Sequence, residues 1–113
     1  MDYETARRLL IDQSSETTLN SDAFLVRLQQ CQPPIPGQVT SILLSLKVIF
    51  EALKGEETLD RDLSYALYLI SSEGRRFFEA GLRKQSDCPP LLNEDLDRIS
   101  AAVKSIFSDL WQR

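Results

Sequence analysis

Histidine is absent from this chain, so any chemistry must come from carboxylates, hydroxyls, amines or thiols. That removes the commonest general base, the commonest metal ligand and the usual switch near neutral pH. Acidic residues gather in two runs, "ETLDRD" (Glu57 to Asp62) and "NEDLD" (Asn93 to Asp97). Grouped carboxylates can serve as an acid and a base, or hold a divalent ion. Both runs fall where a helix should begin, and a carboxylate there is stabilised by the positive end of the helix dipole. They read as caps. No Glu-x-x-His completes a di-metal bundle site. Serine is plentiful but has no imidazole to activate it, and no spacing marks a serine–lysine pair. Gly37, Gly55, Gly74 and Gly81 do not form a phosphate-binding loop, and no strand is present to carry a dinucleotide fingerprint. Cys31 and Cys88 match no zinc or redox spacing and read as reduced, partly buried thiols. No catalytic, cofactor-binding or metal-ligating residue is assigned on these patterns.

The elements that would position a site must fit into 113 residues, a length suited to one domain spanning 1–113. Apolar residues at 42% and charged residues at 27% describe an ordinary globular chain. A net charge of -4 offers no general attraction for nucleic acid or anionic lipid. The start "MDYETARRLL" lacks the cationic-then-apolar layout of a signal peptide, and "SILLSLKVIF" is interrupted by Lys47. The expected setting is the cytoplasm, away from membranes.

Apolar periodicity is helical almost throughout. A first helix is expected from about Asp2 to Gln13, capped by Asp2, with Tyr3, Ala6, Leu9 and Leu10 on one face. Asn20 or Ser21 should cap a short second helix that stops before Pro33 and Pro34. Pro36 suits the first position of a third helix, whose stripe is Val39, Ile42, Leu43, Leu46, Ile49, Phe50 and Leu53. Gly55 belongs at its left-handed C-cap. Leu44 and Val48 lie opposite that stripe, so the helix is apolar nearly all round and should be central, covered on its second side by the two N-terminal helices.

A fourth helix should start at Thr58 or Asp60, with Leu59, Leu63, Ala66, Leu67, Ile70, Phe77 and Phe78 inward, and either end near Ala80, with Gly81 as the stop, or run on to about Lys84. Gly74 on its stripe admits a close neighbour. A fifth helix should run from Leu92 to Gln112, with Leu92, Leu96, Ile99, Val103, Ile106, Phe107 and Leu110 inward. The expectation is an all-α, antiparallel bundle of about five helices.

The outer face of the fourth helix carries Tyr65, Tyr68, Leu69, Ser72, Arg75, Arg76 and Glu79. Tyrosine and arginine are enriched where proteins bind one another. Tyr65, Tyr68, Leu69, Arg75 and Arg76 are therefore the candidate surface for a protein partner or a second copy of the chain. Leu44 and Val48 form the alternative patch. A non-enzymatic interaction or assembly module is the expected class, with a small-molecule enzyme or ligand-binding helical protein as the alternative. Pro33 to Pro36 contains P-x-x-P, but a segment pinned between helices makes a poor polyproline ligand. "KVIFEAL" (Lys47 to Leu53) and "KSIFSDL" (Lys104 to Leu110) match as K-x-I-F-x-x-L, each after a Cys and a Pro-Pro; two duplicated halves would give a pseudo-twofold bundle, whereas amphipathic helices also share such letters by chance.

The stretches "DAFLVRLQQCQPPIPGQVTSILLSLKVIFEALK", "DLSYALYLI" and "CPPLLNEDLDRI" resemble a group of short all-helical cyanobacterial proteins with no established activity. Some of that group carry the label dethiobiotin synthetase. The enzyme so named is an ATP-dependent α/β protein with a phosphate-binding loop. This chain has no such loop, and the label is rejected for it. The resemblance implies a helical fold and supplies no catalytic motif.

Overall fold

The computed structural model describes residues 1–16 and 21–112. Among them every regular element is helical: α1 (Tyr3–Gln13), α2 (Phe24–Gln29), α3 (Gln38–Ala52), α4 (Arg61–Tyr68), a wide π turn (Leu69–Glu73), α5 (Gly74–Ala80), a 3-10 turn (Leu82–Lys84) and α6 (Leu92–Ser108). α4, the π turn and α5 follow without a break and form one rod. The all-α fold is as expected, and of the two ends open to the fourth helix the structure has the shorter, at Ala80.

Local chemistry explains the ends. Asp2 caps α1 by accepting from the Thr5 N–H at 2.8 Å. Asp60, not Thr58, caps α4, accepting from the Asp62 N–H at 3.1 Å. Ser21 does not cap α2, and Asn20 lies outside the described residues. Ala23 holds that position, and the Phe24 N–H donates instead to Gln13 Oε1 at 2.8 Å. α2 closes in a Schellman motif: the Gln32 N–H meets the Arg27 carbonyl at 2.8 Å and the Cys31 N–H meets the Leu28 carbonyl at 3.1 Å.

Pro36 is not the first residue of α3. The Gln38 N–H donates to the Ile35 carbonyl at 2.9 Å, and Gly37 takes φ 84°. Proline followed by a positive-φ glycine makes a type II turn, so the helix starts two residues later. Gly55 is left-handed as expected, at φ 78°, but α3 has already ended at Ala52 and the glycine belongs to the next turn. Gly81 ends α5 with φ -140°, outside the left-handed region. α6 stops at Ser108, short of Gln112, because Asp109 turns left-handed at φ 58°. Leu110, beyond the helix end, is exposed, and so is Phe107 within its last turn, whereas Leu92, Leu96, Ile99, Val103 and Ile106 are buried.

α3 lies between α1 and α6 and buries Ile42, Leu46, Ile49 and Phe50. α2 takes no large part in covering it, contrary to expectation, and packs on α5 and the π turn. α1 is antiparallel to α3, with Gln13 against Gln38 and Met1 against Ser45. α6 is antiparallel to the 61–80 rod, since Arg75 reaches Asn93 while Tyr68 shares a groove with Phe107. α3 and α6 run in the same direction. Val39 and Leu92 line one cleft near both helix starts, and past both ends the Gly55 N–H donates to the Asp109 carboxylate at 3.0 Å. An up-and-down chain gives this parallel pair when α6 packs on α3 as well as on its predecessor. Beyond Asp109, Trp111 sets its ring 5.0 Å from Phe50, with the Lys47 ammonium 3.9 Å from the Trp111 centroid.

Two glycines give opposite expectations. A Cβ on Gly74 would meet Phe24, Leu28 and Leu25 at 3.7, 3.8 and 3.9 Å, ordinary contact distances. Gly74→Ala should therefore be neutral or stabilise by up to about 1 kcal/mol. A Cβ on Gly81 would overlap Cys31 Sγ. Gly81→Ala should destabilise by about 1–3 kcal/mol, with most of the loss recovered in a Cys31→Ala background. Urea denaturation of the single and double variants checks both, and equal losses in the two backgrounds would refute the clash.

The Arg7 guanidinium meets Asp60 at 2.5 Å, and this hydrogen bond holds the Asp60 carboxyl below its ordinary range. A carboxylate depressed by folding stabilises above its unfolded pKa, and that contribution disappears as pH falls through the folded value. Asn caps helices as well as Asp, so Asp60→Asn isolates the charge. Between about pH 6 and about pH 2 the wild type should lose more stability than Asp60→Asn; matching urea midpoints across that range would contradict the linkage.

Candidate protein-binding face

Leu63, Ala66, Leu67 and Ile70 of the 61–80 rod face the core. Their placement turns Tyr65 and Tyr68 outward, 57% and 49% exposed, with rings stacked 6.4 Å apart at 16°. These two residues lie where the sequence put them. The other three of the expected strip do not share their setting.

Leu69 is only 5% exposed, because α1 runs along that side and Ile11, Ser14, Ala66 and Leu69 line one groove with Tyr65 at its rim. The π turn accounts for the arginines. Here the Gly74 N–H donates to the Leu69 carbonyl, one residue farther back than in an α-helix. Side chains beyond it are set back by about 100° on a helical wheel. Phe78 stays buried on the side of Leu63 and Leu67. The same set-back turns Arg75 toward α6, where its guanidinium donates to Asn93 Oδ1 at 2.6 Å and to Asp97 Oδ1 at 2.6 Å. Arg75 is a clamp between helices. Arg76 remains exposed but pairs with Glu73 at 2.5 Å and stacks 4.8 Å from the Phe77 centroid. Glu79 pairs with Arg83, whose hydrogen bond holds its carboxyl below the ordinary range.

The Ser71 hydroxyl caps the irregularity by donating to the Leu67 carbonyl at 2.9 Å.

Phe107, expected in the core, joins the tyrosines instead. It is 50% exposed and borders a groove of about 420 Å³ with Tyr68, Ser71, Ser72, Ser100, Val103 and Lys104. Tyr65, Tyr68 and Phe107 thus form an aromatic face across α4 and α6. Of the alternative patch, Leu44 is 54% exposed, whereas Val48 is half-buried against the core. Leu44 therefore stands without its expected companion.

The acidic runs are engaged by the fold. Asp60 caps α4 and binds Arg7, Asp95 binds Arg98 at 2.7 Å, and Asp97 binds Arg75. No group of three or more acidic or cysteine side chains among the described residues is placed to hold a metal ion. Cys31 and Cys88 are free thiols. The Pro33 carbonyl accepts from Arg27 Nε at 2.7 Å, fixing the P-x-x-P segment to α2. No family model, curated protein or solved structure is significantly similar to this chain. Tyr65, Tyr68 and Phe107 have to be understood from their own geometry.

Substitution separates the strip into its parts. Leu69→Ala should cost about 2–5 kcal/mol as a core truncation. Arg75→Ala should cost about 1–2 kcal/mol for the lost clamp. Tyr68→Ala should change stability by less than about 0.5 kcal/mol. Chemical denaturation measures all three; a Tyr68→Ala loss as large as that of Leu69→Ala would make the tyrosine part of the core.

Proposed function

We propose that this chain is a non-enzymatic interaction module that binds another protein through Tyr65, Tyr68 and Phe107. The observation that carries this reading is an aromatic face about half exposed, formed by the end of α4 and by α6 beside a π turn, and covered by no other described element of the fold. Large rigid rings contribute contact area at small entropic loss, and π turns recur at functional sites.

A ligand-binding or enzymatic role is the second reading. The groove between α1 and α4, about 680 Å³ and lined by Arg7, Asp12, Glu16, Asp62 and Tyr65, is the feature that favours it. Nucleic acid ranks below both, given the net charge of -4. No described helix is long and apolar enough to cross a membrane. A cytoplasmic setting belongs to the proposal because it keeps Cys31 and Cys88 reduced. Kinship with the short cyanobacterial proteins is likewise part of it.

Affinity capture from an extract of the source organism tests the reading. Proteins retained by the wild type should be lost from a folded Tyr68→Ala/Phe107→Ser variant, each substitution weakening association by about 1–2 kcal/mol. Leu44→Ser should retain them. Retention unchanged by the double variant, or a metabolite as the sole bound species, would overturn the proposal.

A further inference from the structure

The groove between the π turn and α6 has an aromatic ring on each wall and a single formal charge. Tyr68 stands on one side and Phe107 with Val103 on the other, and Lys104 is the only ionisable lysine, arginine, aspartate or glutamate in its lining. Other cations on this face are already engaged: Arg75 with Asp97 and Glu79, and Arg76 with Glu73. Lys104 forms no ion pair among the described residues. Sequence explains why. Its helical neighbours three and four residues away are Ala101, Ser100, Phe107 and Ser108, none of them acidic. Lys47 and Lys54, by contrast, both pair with Glu51 on α3. Ser72 and Ser100 also line the groove, and their hydroxyls make no hydrogen bond among the described residues. The Ser71 hydroxyl is occupied by the Leu67 carbonyl.

We infer that the occupant of this groove is a short acidic, amphipathic segment of a second protein. Its apolar side chain lies between Tyr68 and Phe107, and a neighbouring carboxylate meets the Lys104 ammonium, with the Ser72 and Ser100 hydroxyls as further donors. This rests on the reading of the aromatic face as a protein-binding surface and adds the partner's chemistry. Charge argues against two other occupants. A twofold pair of this chain centred on the groove would bring Lys104 toward its own copy and set two like charges together. A basic segment would meet the same lysine. A single lysine releases too few counterions to hold a nucleic-acid strand.

The test is selection of a random-peptide display library on the full chain, followed by affinity measurement on purified variants. Enriched peptides should carry Asp or Glu beside an aromatic or large aliphatic residue. Their binding should fall about tenfold or more in Lys104→Glu and in Phe107→Ser, and several-fold on raising salt. Selection on Lys104→Glu should instead enrich Lys and Arg. Peptides that lose binding in Phe107→Ser but show no acidic preference would overturn this inference and leave the aromatic face standing. Peptides indifferent to both Phe107→Ser and Tyr68→Ala, or no enrichment at all, would overturn both. Concentration-dependent self-association abolished by Phe107→Ser would make a second copy the occupant and refute the acidic partner.

Discussion

A buried glutamine joins the first three helices. Gln38 opens α3, and its Nε2 donates to Gln13 Oε1 at 2.8 Å and to the Asp22 carbonyl at 2.7 Å. Its Oε1 accepts from the Ile35 N–H at 3.1 Å, while Gln13 Oε1 also takes the Phe24 N–H. One amide therefore links the end of α1, the start of α2, the proline turn and the start of α3. A buried amide left unpaired costs about 1–3 kcal/mol, so the partners are strongly held in place. This junction sets α1 antiparallel to α3 and sends α2 away to the far side, against α5. α1 then lies along α4, covering Leu69 and leaving the tyrosines outside.

The π turn performs a second alignment within the 61–80 rod. One extra residue in a single turn sets the side chains beyond it back by about 100°. Phe78 stays on the core side across that change, while Leu82 is placed by the break at Gly81 and the 3-10 turn that follows. The same rotation sends Arg75 inward to Asn93 and Asp97, which ties the rod to α6. Alignment of the core and separation of the tyrosines from the arginines are thus one structural event. Ser71 makes it tolerable by supplying a hydroxyl to a carbonyl in the disturbed stretch.

Much of the fold was legible because apolar spacing reports directly on burial. The cores of α1, α3 and α4, the Asp2 cap and the stop at Ala80 all follow from pattern and local chemistry. Three kinds of information were not local. Gln13 caps α2 from another helix, so no residue near Phe24 announces it. Pro36 fits both a helix start and a type II turn, and the choice depends on Gly37 adopting positive φ beside the Gln38 junction. A wheel at constant pitch cannot contain a π turn, which divided the expected strip into Tyr65 and Tyr68 outside, Leu69 inside, Arg75 clamped and Arg76 paired with Glu73. Lys104 and Phe107 were missed because α6 was expected to continue to Gln112 with that phenylalanine inward.

The repeated K-x-I-F pattern shows how far sequence likeness can diverge in meaning. Lys47 and Phe50 in α3, and Lys104 and Phe107 in α6, occupy equivalent places on parallel helices. Phe50 is buried because the chain turns back at Asp109 and lays Trp111 against it, with Lys47 over both rings. That reversal is itself anchored, through the Gly55 N–H on Asp109 and the Gln112 N–H on the buried Ser105 hydroxyl. Among the described residues nothing comparable reaches Phe107. α6 ends one residue later, and the chain leaves toward α3, on the opposite side from the π turn. The aromatic and ammonium pair that closes on itself in α3 is left open in α6. Its one free charge and exposed ring therefore belong to the surface, where a partner can complete the arrangement that Trp111 completes within the chain.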